Sequence, residues 1–66
     1  MAKQKFVEID LELLNETEKA FRVTDGDLYC WIAKSMIQNY EEDEWLIGNT
    51  ETMLIPLWLA EEEGLI

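Results

Sequence analysis

Apolar and polar residues alternate most regularly over residues 6–13, where Val7, Ile9, Leu11 and Leu13 fall on one side and Glu8, Asp10 and Glu12 on the other. A period of two is the signature of a strand with one buried and one wet face. Asn15-Glu16-Thr17-Glu18 is polar and reads as a short connection, so the first strand is expected to pair antiparallel with residues 19–24. Asp25-Gly26 then suits a two-residue type I′ turn, whose positive φ angles Asp-Gly supplies. With those two residues as the loop, Val23 faces Leu28, Arg22 faces Tyr29, Phe21 faces Cys30 and Ala20 faces Trp31. The hairpin has an aliphatic face (Phe21, Val23, Leu28, Cys30, Ile32) and an aromatic face carrying a cation (Ala20, Arg22, Tyr29, Trp31).

Ala33 to Ile37 loses the alternation and fits a single helical or 3₁₀ turn, with Met36 and Ile37 plugging one end of the sheet. Gln38 to Glu44 holds Tyr40 beside the acidic run Glu41-Glu42-Asp43-Glu44, which lacks apolar periodicity and reads as a solvated loop. Trp45-Leu46-Ile47 and Met53-Leu54-Ile55 flank Gly48 to Thr52 and suggest a second hairpin or two edge strands. Pro56 suits the first position of a helix and Gly64 the left-handed cap beyond its end, with Leu65 folding back on the last turn. The fold class is mainly β (α+β): one domain over residues 1–66, a small antiparallel sheet or open SH3-like barrel of 4–5 strands with a short C-terminal helix.

Composition narrows the chemistry. A chain of 66 residues can support one core but not two. One cysteine precludes an internal disulfide, and the absence of histidine removes the usual zinc ligand sets and the usual base for a catalytic thiol. Cys30 is expected to be a small buried hydrophobe. Asp25-Gly26-Asp27 lacks the spaced ligands and terminal glutamate of a calcium-binding helix–loop–helix site. No cofactor, metal or enzymatic activity is expected. Nothing near Met1–Lys5 resembles a signal peptide and no stretch is long enough to span a membrane, so the expected location is cytoplasmic.

The net charge is −10, and residues 35–66 hold eight acids and no base. Such a half repels phosphate backbones, which argues against direct nucleic-acid binding and for a basic partner, or simply for solubility.

Two stretches carry a resemblance. Trp31-Ile32-Ala33-Lys34-Ser35-Met36-Ile37 resembles a W-L/I-P-K-S-x-I segment, and Ile55 to Ile66 resembles an I-P-x-W-L-A-E-x-x-G-L-I ending. Together with Glu16 to Ala20 they are similar to a set of short proteins encoded in bacteriophage and prophage genomes. Ala33 stands where that pattern has proline and Met36 where it has a polar residue. The resemblance implies a phage setting and no particular activity, so no residue roles come with it.

Two surfaces are candidates for binding. Glu41, Glu42, Asp43 and Glu44, with Glu61, Glu62 and Glu63 and neighbouring Tyr40, form an acidic surface suited to a basic nucleic-acid-binding groove; the plainer reading is a solvated loop and a polar helix face. Tyr29, Trp31 and Arg22 have the composition of an interface hot spot, although a helix covering the second sheet face would make Trp31 core and leave Tyr29 the exposed ring. Trp45 and Trp58 are expected in the core, because so small a domain needs its large rings inside. The leading expectation is a non-enzymatic, phage-type binding protein that inhibits or modulates a host protein with a basic, nucleic-acid-binding and defence-related surface by mimicking nucleic acid. The alternative is a structural or assembly module, or a homodimeric scaffold, using the aromatic hairpin face; a monomer or a homodimer fits equally.

Overall fold

The alternation over residues 6–13 extends into an eleven-residue strand, β1 (Phe6–Glu16), in a computed structural model that describes residues 4–66. Met1, Ala2 and Lys3, part of the N-terminal segment read as lacking a signal peptide, lie outside the described residues. β2 (Ala20–Thr24), β3 (Tyr29–Ala33) and β4 (Thr50–Pro56) complete an antiparallel sheet of order β3-β2-β1-β4. The sheet stays open, with β3 and β4 at its edges, and does not close into a barrel. A 3₁₀ turn over Lys34–Met36 follows β3 as expected, and a short helix, α1 (Leu57–Glu62), follows β4.

β1 keeps its two faces. Leu11 and Leu13 are fully buried, Val7 and Ile9 pack against the core, and Glu8, Asp10 and Glu12 stay exposed. The expected loop at residues 15–18 is shorter than the sequence suggests. Leu14 forms a bulge between the pairs Leu13↔Val23 and Asn15↔Arg22, and β1 continues to Glu16. Inserting one residue flips the side-chain alternation. Glu16 therefore sits opposite Phe21 on the core side, where it accepts a hydrogen bond from Lys34.

The β2–β3 turn is two residues longer in all than a type I′ hairpin. The pairs are Thr24↔Tyr29, Val23↔Cys30, Arg22↔Trp31, Phe21↔Ile32 and Ala20↔Ala33, leaving Asp25–Leu28 as the loop. Asp25 Oδ1 accepts from the N–H groups of Asp27 and Leu28, both at 2.8 Å, and Thr24 Oγ1 accepts from Gly26 N–H at 3.0 Å. These side-chain caps satisfy a wider turn that the Asp-Gly pair alone does not announce. Because the register moves by two residues, the faces survive except at Leu28: Phe21, Val23, Cys30 and Ile32 are buried and Arg22, Tyr29 and Trp31 exposed, while Leu28, expected on the aliphatic face opposite Val23, falls in the loop and is exposed.

The second expected hairpin is not formed. Trp45-Leu46-Ile47 is irregular, and β4 instead begins at Thr50, so that Thr50-Glu51-Thr52 belongs to the strand. Leu13 holds this segment in place by donating to Asn49 C=O and accepting from Gly48 N–H. Pro56 ends β4 and caps α1 rather than occupying the helix's first turn. Gly64, at φ 78°, closes the helix as expected: Leu65 N–H reaches Ala60 C=O at 2.8 Å and Gly64 N–H reaches Glu61 C=O at 3.2 Å, the two bonds of a Schellman cap.

One core serves every element. Leu11, Leu13, Phe21, Val23, Cys30, Ile32, Met53 and Ile55 from the sheet meet Ile37 and Ala60, with Tyr40, Trp45, Leu59 and Leu65 at its margin. Ile37 is the plug foreseen; Met36 stays at the surface. The helix and the 37–49 segment thus lie on the same side of the sheet. The expected cover on the second face is missing, which is why Trp31 is 50% exposed and not core. Trp58, also expected inside, is 45% exposed because α1 turns Ala60 and Leu59 inward.

Candidate functional site

The acidic run Glu41–Glu44 is anchored at both ends. Tyr40, immediately before it, and Trp45, immediately after it, meet edge to face with ring centroids 5.5 Å apart, and both pack on Phe21 at 5.6 and 6.1 Å. Such ring pairs contribute about 0.5–1.5 kcal/mol each beyond the area they bury. Lys34 adds to the clamp: its Nζ lies 5.0 Å from the Phe21 ring centre and 5.7 Å from that of Tyr40, while bonded to Glu16. The hydrogen bond to Glu16 raises the Lys34 pKa above the ordinary lysine value. Tyr40 was expected in a solvated loop; it is half-buried, and its ring works as the loop's anchor.

Between the anchors the chain makes a tight turn. Glu44 N–H donates to Glu41 C=O at 3.3 Å, and Asp43 sits at φ 71°, a left-handed conformation that favours glycine and that aspartate tolerates better than most residues. The turn brings two like charges together. Glu44 is held above the usual carboxylate range, first by a hydrogen bond with Glu41, then by the charge of Glu41 and, after burial, of Glu51. Glu41, Glu42, Asp43 and Glu44 are all exposed. Among the described residues the ion pair formed is Lys34 with Glu16, so these four carboxylates have no cation of their own.

The other predicted residues fall into two separate places. Glu61 and Glu62 are exposed near the end of α1, and Glu63 is half-buried at its cap. The Glu63 charge reaches Cys30, whose thiol is pushed up chiefly by burial and further by Glu63 and Asp25. Asp25 moves the opposite way, below the usual carboxylate range, because Leu28 N–H and then Asp27 N–H donate to it. On the sheet's open side, Arg22 lies over the Tyr29 ring at 5.4 Å, with Tyr29 63% exposed. Arg22 and Tyr29 therefore form one pair, on the face opposite the acidic loop.

Sequence reasoning missed three features. Asp10, on the wet face that the alternation announced with Glu8 and Glu12, accepts a hydrogen bond from Thr52 Oγ1 across the β1–β4 ladder, a contact of which the pattern gave no sign. The Tyr40–Trp45 clamp was signalled only by two aromatics bracketing the acids. Asn39 left no signal: its side chain accepts from Leu54 N–H and donates to Thr52 C=O, both at 2.9 Å, and so dresses the free edge of β4.

Among the described residues no pocket opens, no group of three or more acidic, cysteine or histidine side chains is placed to hold a metal, and no helix is long and apolar enough to cross a membrane. Compared with protein-family models, with curated proteins and with solved structures, the chain matches none.

Proposed function

We propose that the chain is a non-enzymatic binding protein whose acidic loop docks on the basic surface of a partner protein. The observation that carries this reading is the anchored turn at Glu41–Glu44: a non-glycine residue at positive φ and two glutamates forced together, fixed by Tyr40 and Trp45. Local rules broken at one place, in a domain otherwise locally consistent, are characteristic of functional sites. A cation from a partner relieves the repulsion that the fold builds in at this loop. An acidic surface with no pocket among the described residues suits a macromolecule better than a small substrate. In the phage setting suggested by the sequence resemblance, the partner is a host nucleic-acid-binding protein in the cytoplasm, with a role in defence, and the loop competes with its nucleic acid.

The test is capture of partners from bacterial lysate on the tagged chain, beside a variant carrying Glu41→Gln, Glu42→Gln, Asp43→Asn and Glu44→Gln. Retention of a basic protein by the wild type alone, with elution by DNA, supports the reading. Equal retention by both proteins, indifferent to DNA and salt, sinks it. A second reading, an assembly module or homodimeric scaffold, draws on a different observation: Tyr29 and Trp31 stay exposed on the open side of the sheet.

A further inference from the structure

The two edges of the sheet are treated differently. On β4, the outward groups of Thr52 and Leu54 are occupied, since Gln38 N–H donates to Leu54 C=O and Asn39 bonds Leu54 N–H and Thr52 C=O. On β3, the outward groups are identified by the ladder. Lys34 N–H donates to Lys19 C=O, so in this register Ile32 and Cys30 point their backbone groups toward β2. Tyr29, Trp31 and Ala33 point theirs away. Ala20, opposite Ala33, confirms the direction, because its N–H and C=O turn to Thr17 on the far side.

An exposed edge is normally blunted by charge, proline, a bulge or a covering segment. Among the described residues β3 has none of these: it reads Tyr-Cys-Trp-Ile-Ala, and the adjacent Lys34 is turned inward over Phe21 and Tyr40. We propose that β3 pairs antiparallel with β3 of a second copy of this chain, centred on Trp31, joining the two sheets into one. The inference rests on the assembly reading and names its surface.

Three observations select a second copy as the occupant. The first is charge. Residues 19–34 hold three of the chain's five bases and only two of its fifteen acids, so at the hairpin the repulsion between two strongly acidic bodies is locally reduced. The second is register. Centring the pair on Trp31 sets its N–H and C=O against their own equivalents, and sets each Ala33 N–H against the second copy's Tyr29 C=O. Tyr29, the large exposed ring, then lies opposite Ala33, the small residue, and the pattern is its own complement. The third is the edge itself: the outward backbone groups of Tyr29, Trp31 and Ala33 have no partner among the described residues, and antiparallel pairing with the same three residues of a second copy satisfies all of them.

Sedimentation velocity of the full chain over a concentration series tests this, with Ala33→Pro as the principal variant. Ala33 already sits at φ −65°, the proline value, and its outward N–H makes no bond among the described residues, so this change closes the edge without disturbing the fold. Trp31→Lys, at an exposed position, is the second variant. The expected result is a mass rising from 7.8 kDa toward twice that with concentration, more readily at high salt as mutual repulsion is screened, and a ten-fold or greater weakening in both variants with circular dichroism unchanged. Association that both variants leave intact overturns the β3 edge while the assembly reading stands. A monomer at every concentration and salt overturns both. Binding of an extended peptide at β3 by a chain that never self-associates also overturns the proposal.

Discussion

Removing the Asn39 side chain should expose what the covered edge of β4 contributes. Asn39→Ala deletes two hydrogen bonds of 2.9 Å, one accepted from Leu54 N–H and one donated to Thr52 C=O. Each bond of this kind is worth about 0.5–1.5 kcal/mol net, and because both are exposed the freed backbone groups find water, so the sum falls at about 1–2 kcal/mol. A domain of 66 residues has a total stability of about 3–10 kcal/mol, so the loss is a sizeable share. The thermal midpoint should fall by about 5–10 °C, read by circular dichroism at low protein concentration. Asn39→Asp keeps the acceptor for Leu54 but sets a carboxylate against the Thr52 carbonyl, and should recover none of the stability. A midpoint unchanged within about 1–2 °C would refute the view that this side chain stands in for a neighbouring strand.

Gly64→Ala places a Cβ 3.2 Å from Leu28 Cδ1 and forces a non-glycine residue to φ 78°; a loss of about 1–2 kcal/mol in urea unfolding is expected, and no loss would mean the helix cap does not depend on that conformation. Stability should vary with pH in two opposing limbs. Glu44 is raised, so the folded state binds its proton more tightly than the unfolded one and stability grows as pH falls toward that titration; Asp25 is lowered, so its contribution is present above its unfolded value and is lost as pH falls through the lower folded value. The midpoint should therefore peak on the acid side of neutrality, Glu44→Gln should flatten the gain, and Asp25→Asn should remove the acid-side loss. Cys30, buried and with its pKa raised, should react with iodoacetamide at pH 8 slower by roughly an order of magnitude than in urea, and equal rates would contradict its burial.

What could be read from the chain was what local pattern determines. The alternation of Val7, Ile9, Leu11 and Leu13 specified β1 and its faces, and Gly64 with Leu65 specified the helix end. The hairpin faces were legible even though its register was not, since a shift of two residues preserves alternation. The turn length was hidden because Asp25 and Thr24 cap it with side chains, a choice open to either residue in many loops. β4 began early because Thr50-Glu51-Thr52 continues the alternation into Met53 and Ile55 at residues that resemble a polar connection. Trp31 and Trp58 were misplaced for one reason: which face α1 covers is decided by tertiary packing, and it covers the side that the 37–49 segment already shares. At the acidic site the charges were evident, while the clamp that fixes them needed Tyr40, Trp45 and Phe21 to meet in space.

The central claim is that the acidic loop acts through its position and not through net charge alone. Its most direct test compares two charge-matched variants in the lysate capture: the four amides at residues 41–44, and four amides at Glu8, Asp10, Glu12 and Glu18, each removing four negative charges. The account predicts that the second variant retains the same basic, DNA-displaceable partner as the wild type and the first does not. Equal loss in both would reduce the loop to bulk charge, and retention by both would remove it from the interface.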